Sequence, residues 1–173
     1  SLPLLAFLLF AVVVSTSAQS LPRSPRATQE EMKELMANGG RRRFIAHNGW
    51  FLTDVKQIKA FPFQYDRRMG LSPQNGGTSQ QWTIERMNDN EVVIRGSSGE
   101  YIQHSWGIIN NAELVPRAQE WEMLTPVKNA NGSWSFKSRW NKWLSGGGSA
   151  IFTKNIDFMP ENLKCEQWWL EPW

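Results

Sequence analysis

The sequence predicts an all-β domain made of three repeats of four short strands, giving about twelve strands in total. A pattern in which an apolar residue is followed seven positions later by an aromatic and then an aliphatic residue occurs three times. A second pattern, centred on tryptophan, follows each copy. Between these patterns lie short alternating or β-branched runs separated by Asn-Gly and Ser-Gly turns, which are typical of strands and hairpins.

The first pattern marks the start of each repeat. Its copies, FIAHNGWFL, IRGSSGEYI and FKSRWNKWL, begin at Phe44, Ile94 and Phe136. Gly49 and Gly99 stand two positions before the aromatic residue in the first two copies, where a tight turn requires a positive φ angle. Asn141, which tolerates this angle better than most side chains, takes the position in the third copy. The segments therefore predict three equivalent turns.

The second pattern predicts the centre of the fold. It reads QQWTIE, QEWEML and EQWWLEP in the three copies. Each buried aromatic side chain removes about 150–250 Å² from water, so a domain of about 130 residues can hold a core without disulfides. The predicted core consists of Phe44, Phe51, Trp82, Ile94, Tyr101, Trp121, Phe136, Trp143 and Trp168.

The two patterns resemble the repeats of the β-trefoil superfamily. The turn that precedes an aromatic and an aliphatic residue is similar to the fascin-type repeat. The Q-x-W pattern is similar to the ricin-B-type lectin repeat and occurs as Gln80-Gln-Trp82, Gln119-Glu-Trp121 and Glu166-Gln-Trp168. The resemblance covers residues 42–173. It implies a six-stranded barrel capped by three hairpins, and a lectin-like, carbohydrate-binding protein.

Candidate ligand residues combine exposed aromatic rings with polar neighbours. An aromatic face packs against the C–H groups of a sugar ring, while amides and carboxylates bond its hydroxyls. Ricin-type sites place an aspartate directly after the aliphatic residue of the first pattern, where this chain has other polar residues and one aspartate a position late. The predicted ligand-binding residues are Trp50, Thr53, Asp54, Gln103, His104, Trp106, Trp140 and Ser145.

The first residues predict secretion. Residues 1–19 contain an uncharged apolar run followed by small residues, and the run is shorter than the roughly 20 residues of a membrane-spanning helix. This arrangement is typical of a signal peptide, and the alternative is a buried core helix. We therefore expect an extracellular protein without a membrane insertion. Asn131 begins the sequon Asn-Gly-Ser and is a predicted glycosylation site in a turn.

Residues 20–43 are expected to form a basic connector to a domain that spans 44–173. Thr28 and Glu31 make a capping box for a short helix over about 28–38, which its few apolar residues would attach only loosely. The run Arg41–Arg43 has two interpretations: a solvated lead-in to the first strand, or a processing site that releases a chain starting at Phe44.

Charge and composition exclude several function classes. The net charge of +3 comes from the connector, because residues 44–173 carry thirteen basic and thirteen acidic side chains. This balance argues against nucleic acid as a partner. The single cysteine, Cys165, excludes an internal disulfide and a multi-thiolate zinc site. No recognisable catalytic, metal or cofactor motif occurs, so we expect binding of extracellular glycans or glycoproteins rather than catalysis, with no cofactor and no metal.

Two further interpretations remain open at this point. An extracellular structural or signalling protein that binds protein or sulfated glycan would need a cluster of basic side chains, for which Arg67-Arg68 and the set Lys137, Arg139 and Lys142 are candidates. A protease inhibitor would need an exposed loop, and residues 62–77 form the longest candidate.

Overall fold

The computed structural model describes residues 25–60, 65–73, 76–105, 111–147 and 156–173. The predicted signal peptide, Trp106 and residues 62–64 and 74–75 lie outside these ranges. The prediction of one long loop over residues 62–77 was wrong, because Tyr65–Ser72 form a strand. Within them, no helix is long and apolar enough to cross a membrane. The elements are α1 (Gln29–Met36), β1 (Arg41–Ile45), β2 (Phe51–Ala60), β3 (Tyr65–Ser72), β4 (Trp82–Arg86), β5 (Val92–Gly96), β6 (Tyr101–His104), β7 (Ala112–Val115), β8 (Leu124–Lys128), β9 (Trp134–Ser138), β10 (Trp143–Ser145), β11 (Asp157–Met159) and β12 (Trp169–Pro172).

Six strands close into a barrel. β1 pairs with β4, β4 with β5, β5 with β8 and β8 with β9, all antiparallel. A bridge between Trp134 and Trp168 joins β9 to the residue before β12, and β12 pairs with β1. The remaining strands form the hairpins β2–β3, β6–β7 and β10–β11. This topology is the predicted β-trefoil of three four-stranded repeats, and closure leaves the barrel without a free edge.

Each repeat contributes the same layers to the core. Phe44, Ile94 and Phe136 are fully buried, as predicted, and the rings of Phe44 and Phe136 lie 5.5 Å apart. The aromatic-aliphatic pairs differ from the prediction, because the aliphatic member points inward. Successive strand residues face opposite sides, so Phe51 and Tyr101 are only half-buried. Trp143 is 9% exposed, and the inward residues are Leu52, Ile102 and Leu144, each 0% exposed.

Two of the three predicted core tryptophans are buried, and one is not. Trp82 and Trp168 are fully buried at the starts of β4 and β12, whereas Trp121 is 42% exposed, so its core assignment was wrong. The reason is the register of a short 3-10 turn, Glu120–Glu122, which holds Trp121 on the outside. The core position of the second repeat belongs to Leu124, which is fully buried.

α1 begins with the predicted capping box, since the backbone N–H of Glu31 donates to Thr28 Oγ1 at 3.2 Å and the backbone N–H of Thr28 donates to Glu31 Oε2 at 2.8 Å. The expectation of loose attachment was wrong. Met32 and Leu35 are 0% and 1% exposed and belong to the barrel core, which offsets the small number of apolar residues. Glu34 bonds Lys128 of β8 at 2.6 Å.

The arginine run is part of the fold rather than a solvated lead-in. β1 begins at Arg41, three residues before the predicted domain start, and pairs with both β4 and β12. Arg42 is 7% exposed, and its guanidinium donates to the carbonyl oxygens of Glu34 and Leu35 at 3.1 and 3.2 Å. Both carbonyls belong to the last helical turn, where that of Glu34 also accepts the backbone N–H of the cap residue Ala37. Burial lowers the pKa of Arg42, opposed by the charge of Glu34.

Candidate functional site

The β1–β2, β5–β6 and β9–β10 turns have the same backbone. Gly49, Gly99 and Asn141 occupy the left-handed region at φ angles of 80°, 85° and 55°, which is the geometry predicted for them. One residue before each of these, at the tip of the turn, the side chain differs among the repeats. The three tip residues are Asn48, Ser98 and Trp140.

A second set of equivalent positions lies in the 3-10 turns that precede β4, β8 and β12. These turns are Gly77–Gln80, Glu120–Glu122 and Lys164–Glu166, and each ends in a buried polar residue. The residue just before that buried one differs among the repeats. The three residues are Ser79, Trp121 and Cys165.

An aromatic pair forms where the 3-10 turn of the second repeat meets the β9–β10 turn of the third repeat. The ring centroids of Trp121 and Trp140 lie 6.2 Å apart at an interplanar angle of 66°. The two side chains are 42% and 39% exposed. The symmetry-equivalent positions hold Ser79 with Ser98 and Cys165 with Asn48, so the trefoil forms without tryptophan there. We call Trp121 and Trp140 the Trp platform.

Arg139 holds the turn that carries the Trp platform. Its Nε and Nη2 donate to the two carboxylate oxygens of Glu91 at 3.0 and 2.9 Å, and its Nη1 lies 3.6 Å from Glu120 Oε2. The hydrogen bond from Arg139 lowers the pKa of Glu91, and the same bond raises the pKa of Arg139. Because Glu120 and Arg139 are the chain neighbours of the two tryptophans, this network fixes both ends of the Trp platform.

Three of the predicted ligand residues occupy equivalent positions in β2, β6 and β10, and two of them bond the 3-10 turn of their repeat. Thr53 is buried and accepts a hydrogen bond from Gln80 Nε2 at 3.2 Å, while Gln103 donates to Glu122 Oε1 at 2.6 Å. Ser145 stands at the equivalent position, is 1% exposed, and its Oγ has no hydrogen-bond partner in the part of the chain that the structure describes. Their side chains face the protein rather than a ligand.

Most of the other predicted ligand residues are also withdrawn from solvent. His104 is 1% exposed, lies 2.8 Å from Ser138 Oγ through Nδ1, and stacks on Phe158 with ring centroids 4.4 Å apart. Asp54 is 5% exposed, and Trp50 is half-buried in the β1–β2 turn. Among the predicted residues that the structure describes, Trp140 is the large aromatic side chain at the surface.

The Q-x-W pattern predicts a core position for Trp121, the partner of Trp140, because it aligns the three repeats on tryptophan. In the structure Glu122 takes the place of Gln80 and Glu166, so that the second copy reads Glu122-Met-Leu124. With this alignment the core positions Trp82, Leu124 and Trp168 are 42 and 44 residues apart, instead of 39 and 47. The more even spacing is the signal that reveals Trp121 as a surface residue.

The described residues contain no group of three or more His, Cys, Asp or Glu side chains that could hold a metal ion. Asn131 lies exposed in the β8–β9 turn, where its Nδ2 donates to Gln167 Oε1 at 2.8 Å. Its glycosylation stays a prediction.

No protein-family model matches the chain, and no curated protein matches it. Solved structures do. The chain is similar to the designed threefold-symmetric protein ThreeFoil, with a TM-score of 0.63 and 18% identity over 76% of this chain and 97% of that chain. It is also similar to SeviL bound to asialo-GM1 saccharide, with a TM-score of 0.56 and 12% identity over 76% of this chain and 96% of that one.

A third similar structure is the GlcNAcα1-4Gal releasing endo-β-galactosidase of Clostridium perfringens, with a TM-score of 0.58 and 16% identity. The match covers 76% of this chain and 32% of that chain, so it concerns one part of a longer enzyme. At these identities the three likenesses show the β-trefoil fold.

Proposed function

We propose that this chain is a secreted, non-enzymatic, lectin-like protein that binds carbohydrate on the Trp platform. The observation that carries the proposal is the exposed pair of Trp121 and Trp140 at positions where the other two repeats have small polar residues or cysteine. Large exposed aromatic groups that the fold does not require are costly for solubility and mark interaction sites.

The geometry suits a sugar ring. The two indole rings make a T-shaped contact at 66°, and the parts of them that stay exposed offer flat apolar surface to the C–H groups of a pyranose. Glu120 and Arg139, whose side chains are 68% and 41% exposed, lie beside the rings and provide an acceptor and a donor for sugar hydroxyls. Aromatic walls with a few placed polar groups are the usual composition of a small-molecule site.

The comparisons support the ligand class. SeviL is bound to a saccharide in its structure, and the galactosidase acts on a GlcNAcα1-4Gal unit. SeviL, and the part of the galactosidase that matches, have the fold of this chain. The Trp platform lies on a turn and a 3-10 segment at the surface of that fold.

The decisive experiment screens the purified chain on a glycan array and measures affinity for the best ligand by calorimetry. Trp121→Ala and Trp140→Ala should each weaken binding by about tenfold or more, since central aromatic contacts dominate binding energy. Trp169→Ala is the matched control, because Trp169 is 43% exposed outside the Trp platform. Unfolding curves of all three variants should match the parent within about 0.5 kcal/mol.

The proposal fails if no glycan binds, or if the double variant at Trp121 and Trp140 binds as well as the parent. Secretion is tested separately. Residues 1–24, with an initiator methionine added, should direct a fused reporter enzyme into the medium, and retention of the reporter inside the cell would contradict that part of the proposal.

A further inference from the structure

A cavity of about 440 Å³ opens on the outer surface of the barrel beside β1, β4 and β5. It belongs to the first repeat and the start of the second, whereas the Trp platform joins the second and third. Its lining contains no acidic side chain among the residues that the structure describes. The residues around it are Gly39, Arg41, Gln81, Thr83, Arg95, Gly96, Ser97 and Trp173.

Strand register places two arginines on either side of a hydroxyl. Thr83 of β4 pairs directly with Arg41 of β1 and with Arg95 of β5. Directly paired residues share a face of the sheet, with Cβ atoms about 4.5–5.5 Å apart. The neighbouring residues Ile84 and Ile94 are buried, so this row of three side chains points outward into the cavity.

Arg41 is oriented before any ligand arrives. Its Nε donates to the main-chain oxygen of Asn38 at 3.1 Å, and its guanidinium lies 5.6 Å from the ring centre of Trp173. That indole is itself anchored, because its Nε1 donates to the main-chain oxygen of Trp82 at 2.8 Å. Within the described residues, no carboxylate forms an ion pair with Arg41.

The charge of the second arginine, Arg95, is already paired with a carboxylate. Arg95 donates a short hydrogen bond to Glu85, and this bond raises the pKa of Arg95. Arg41 is therefore the arginine of this row whose guanidinium has no carboxylate side chain as its partner among the described residues. At the position equivalent to Arg41 in the second repeat stands Glu91, which is paired with Arg139. The first repeat thus carries a cation where the second carries a neutralised acid.

We propose that this cavity binds an oxyanion, a carboxylate or sulfate group carried by a polar ligand. Arg41 provides the charge and Thr83 a hydroxyl donor. A planar guanidinium matches the two oxygens of a carboxylate or sulfate, and a charge-assisted hydrogen bond is stronger than a neutral one. The site requires no contribution from the Trp platform, and its failure or success is independent of the proposed sugar site.

The test is a two-dimensional NMR titration of the full chain with sodium sulfate and, separately, with sodium glucuronate, at constant ionic strength. Saturable shifts should appear at the Trp173 indole N–H, the Arg41 Nε–H and the Thr83 amide. Tighter binding of glucuronate would indicate a sugar carboxylate as the natural group, and tighter binding of sulfate would indicate a sulfate ester.

Charge variants test whether Arg41 attracts the anion. Arg41→Gln should weaken binding about tenfold or more, whereas Glu85→Gln should strengthen it, because Arg95 then loses its internal acid. Lys164→Gln removes the same unit of charge at an exposed position of another repeat and should leave the affinity unchanged. Thr83→Val, which keeps the shape of the side chain, should weaken binding severalfold. Non-saturable shifts, or equal affinities for Arg41→Gln and Lys164→Gln, would overturn the proposal.

Discussion

The indole Nε1 of Trp168 donates a hydrogen bond of 3.0 Å to the main-chain oxygen of Leu144, and both groups are buried. Trp82 makes the equivalent bond to Leu52 at 2.9 Å. Each bond ties the start of the repeat's last strand to the inward residue of its second strand. Leu124, at the third equivalent position, fills the same space without a donor.

Trp168→Phe should destabilise the fold by about 1–3 kcal/mol, because it keeps an aromatic ring and leaves the buried oxygen of Leu144 without its donor. Urea unfolding followed by circular dichroism measures the effect. Trp169→Phe, at the exposed neighbouring position, should change stability by less than about 0.5 kcal/mol. An equal loss in the two variants would contradict a role for the hydrogen bond.

Arg42→Met should lower the free energy of unfolding by about 1–3 kcal/mol, since it preserves the apolar stem and removes the guanidinium that donates to two carbonyls at the end of α1. The carbonyl of Glu34 keeps the bond from the Ala37 N–H, so the loss falls mainly on that of Leu35. Lys33→Met serves as the control on the same helix. Lys33 is exposed and pairs with the exposed Glu30, so its loss should cost less than about 1 kcal/mol. A stable Arg42→Met protein would show that α1 docks by its apolar residues alone.

Gly40→Ala and Gly49→Ala separate two effects of glycine. Both residues have a positive φ angle, 70° and 80°, which costs an alanine about 1–2 kcal/mol. A Cβ atom at Gly40 would also lie 2.0 Å from the carbonyl oxygen of Ile84, whereas one at Gly49 meets nothing within 4 Å. Gly40→Ala should therefore be the more damaging by at least about 1–3 kcal/mol in thermal unfolding. Similar melting temperatures would mean that the connector can move away from β4.

Glu91→Gln should lower the melting temperature at pH 7 by about 2–4 °C, because it removes the charge that Arg139 bonds. A carboxyl whose pKa is lowered by folding stabilises the native state above its unfolded pKa, and this contribution is lost as the pH falls through the folded value. The difference between parent and variant should thus shrink below about pH 4.3. The exposed Glu113→Gln is the control, and a difference that persists at pH 2 would refute the linkage.

The number and order of the strands follow from the sequence, because turn residues mark where strands end and repeated apolar positions mark where they lie. The sequence does not show which member of a pair such as Phe51 and Leu52 points inward. Both residues are apolar, and a shift of one residue exchanges the two faces of a strand. The register is fixed by cross-strand pairing, in which Leu52 lies opposite Leu71 and accepts the bond from Trp82.

The candidate site was only partly predictable for a related reason. A tryptophan in a repeated pattern suggests a core position. In the QEWEML segment Trp121 therefore suggests an alignment three residues away from the true core residue, Leu124. Polar positions such as Thr53 and Gln103 carry hydrogen-bonding groups that suit either a ligand or a buried brace. Their partners, Gln80 and Glu122, are distant in sequence and become neighbours only in the folded barrel.

Among the described residues, the buried hydroxyl of Ser145 lacks the hydrogen bond that the side chains at the equivalent positions of the other two repeats make. Thr53 and Gln103 fasten β2 and β6 to the following 3-10 turns, but β10 has no such fastening through Ser145. A buried polar group without a partner favours any local opening that admits water. The amide protons of β10 and β11 should therefore exchange with solvent sooner than those of β6 and β7. Local opening would then differ between repeats that share one fold.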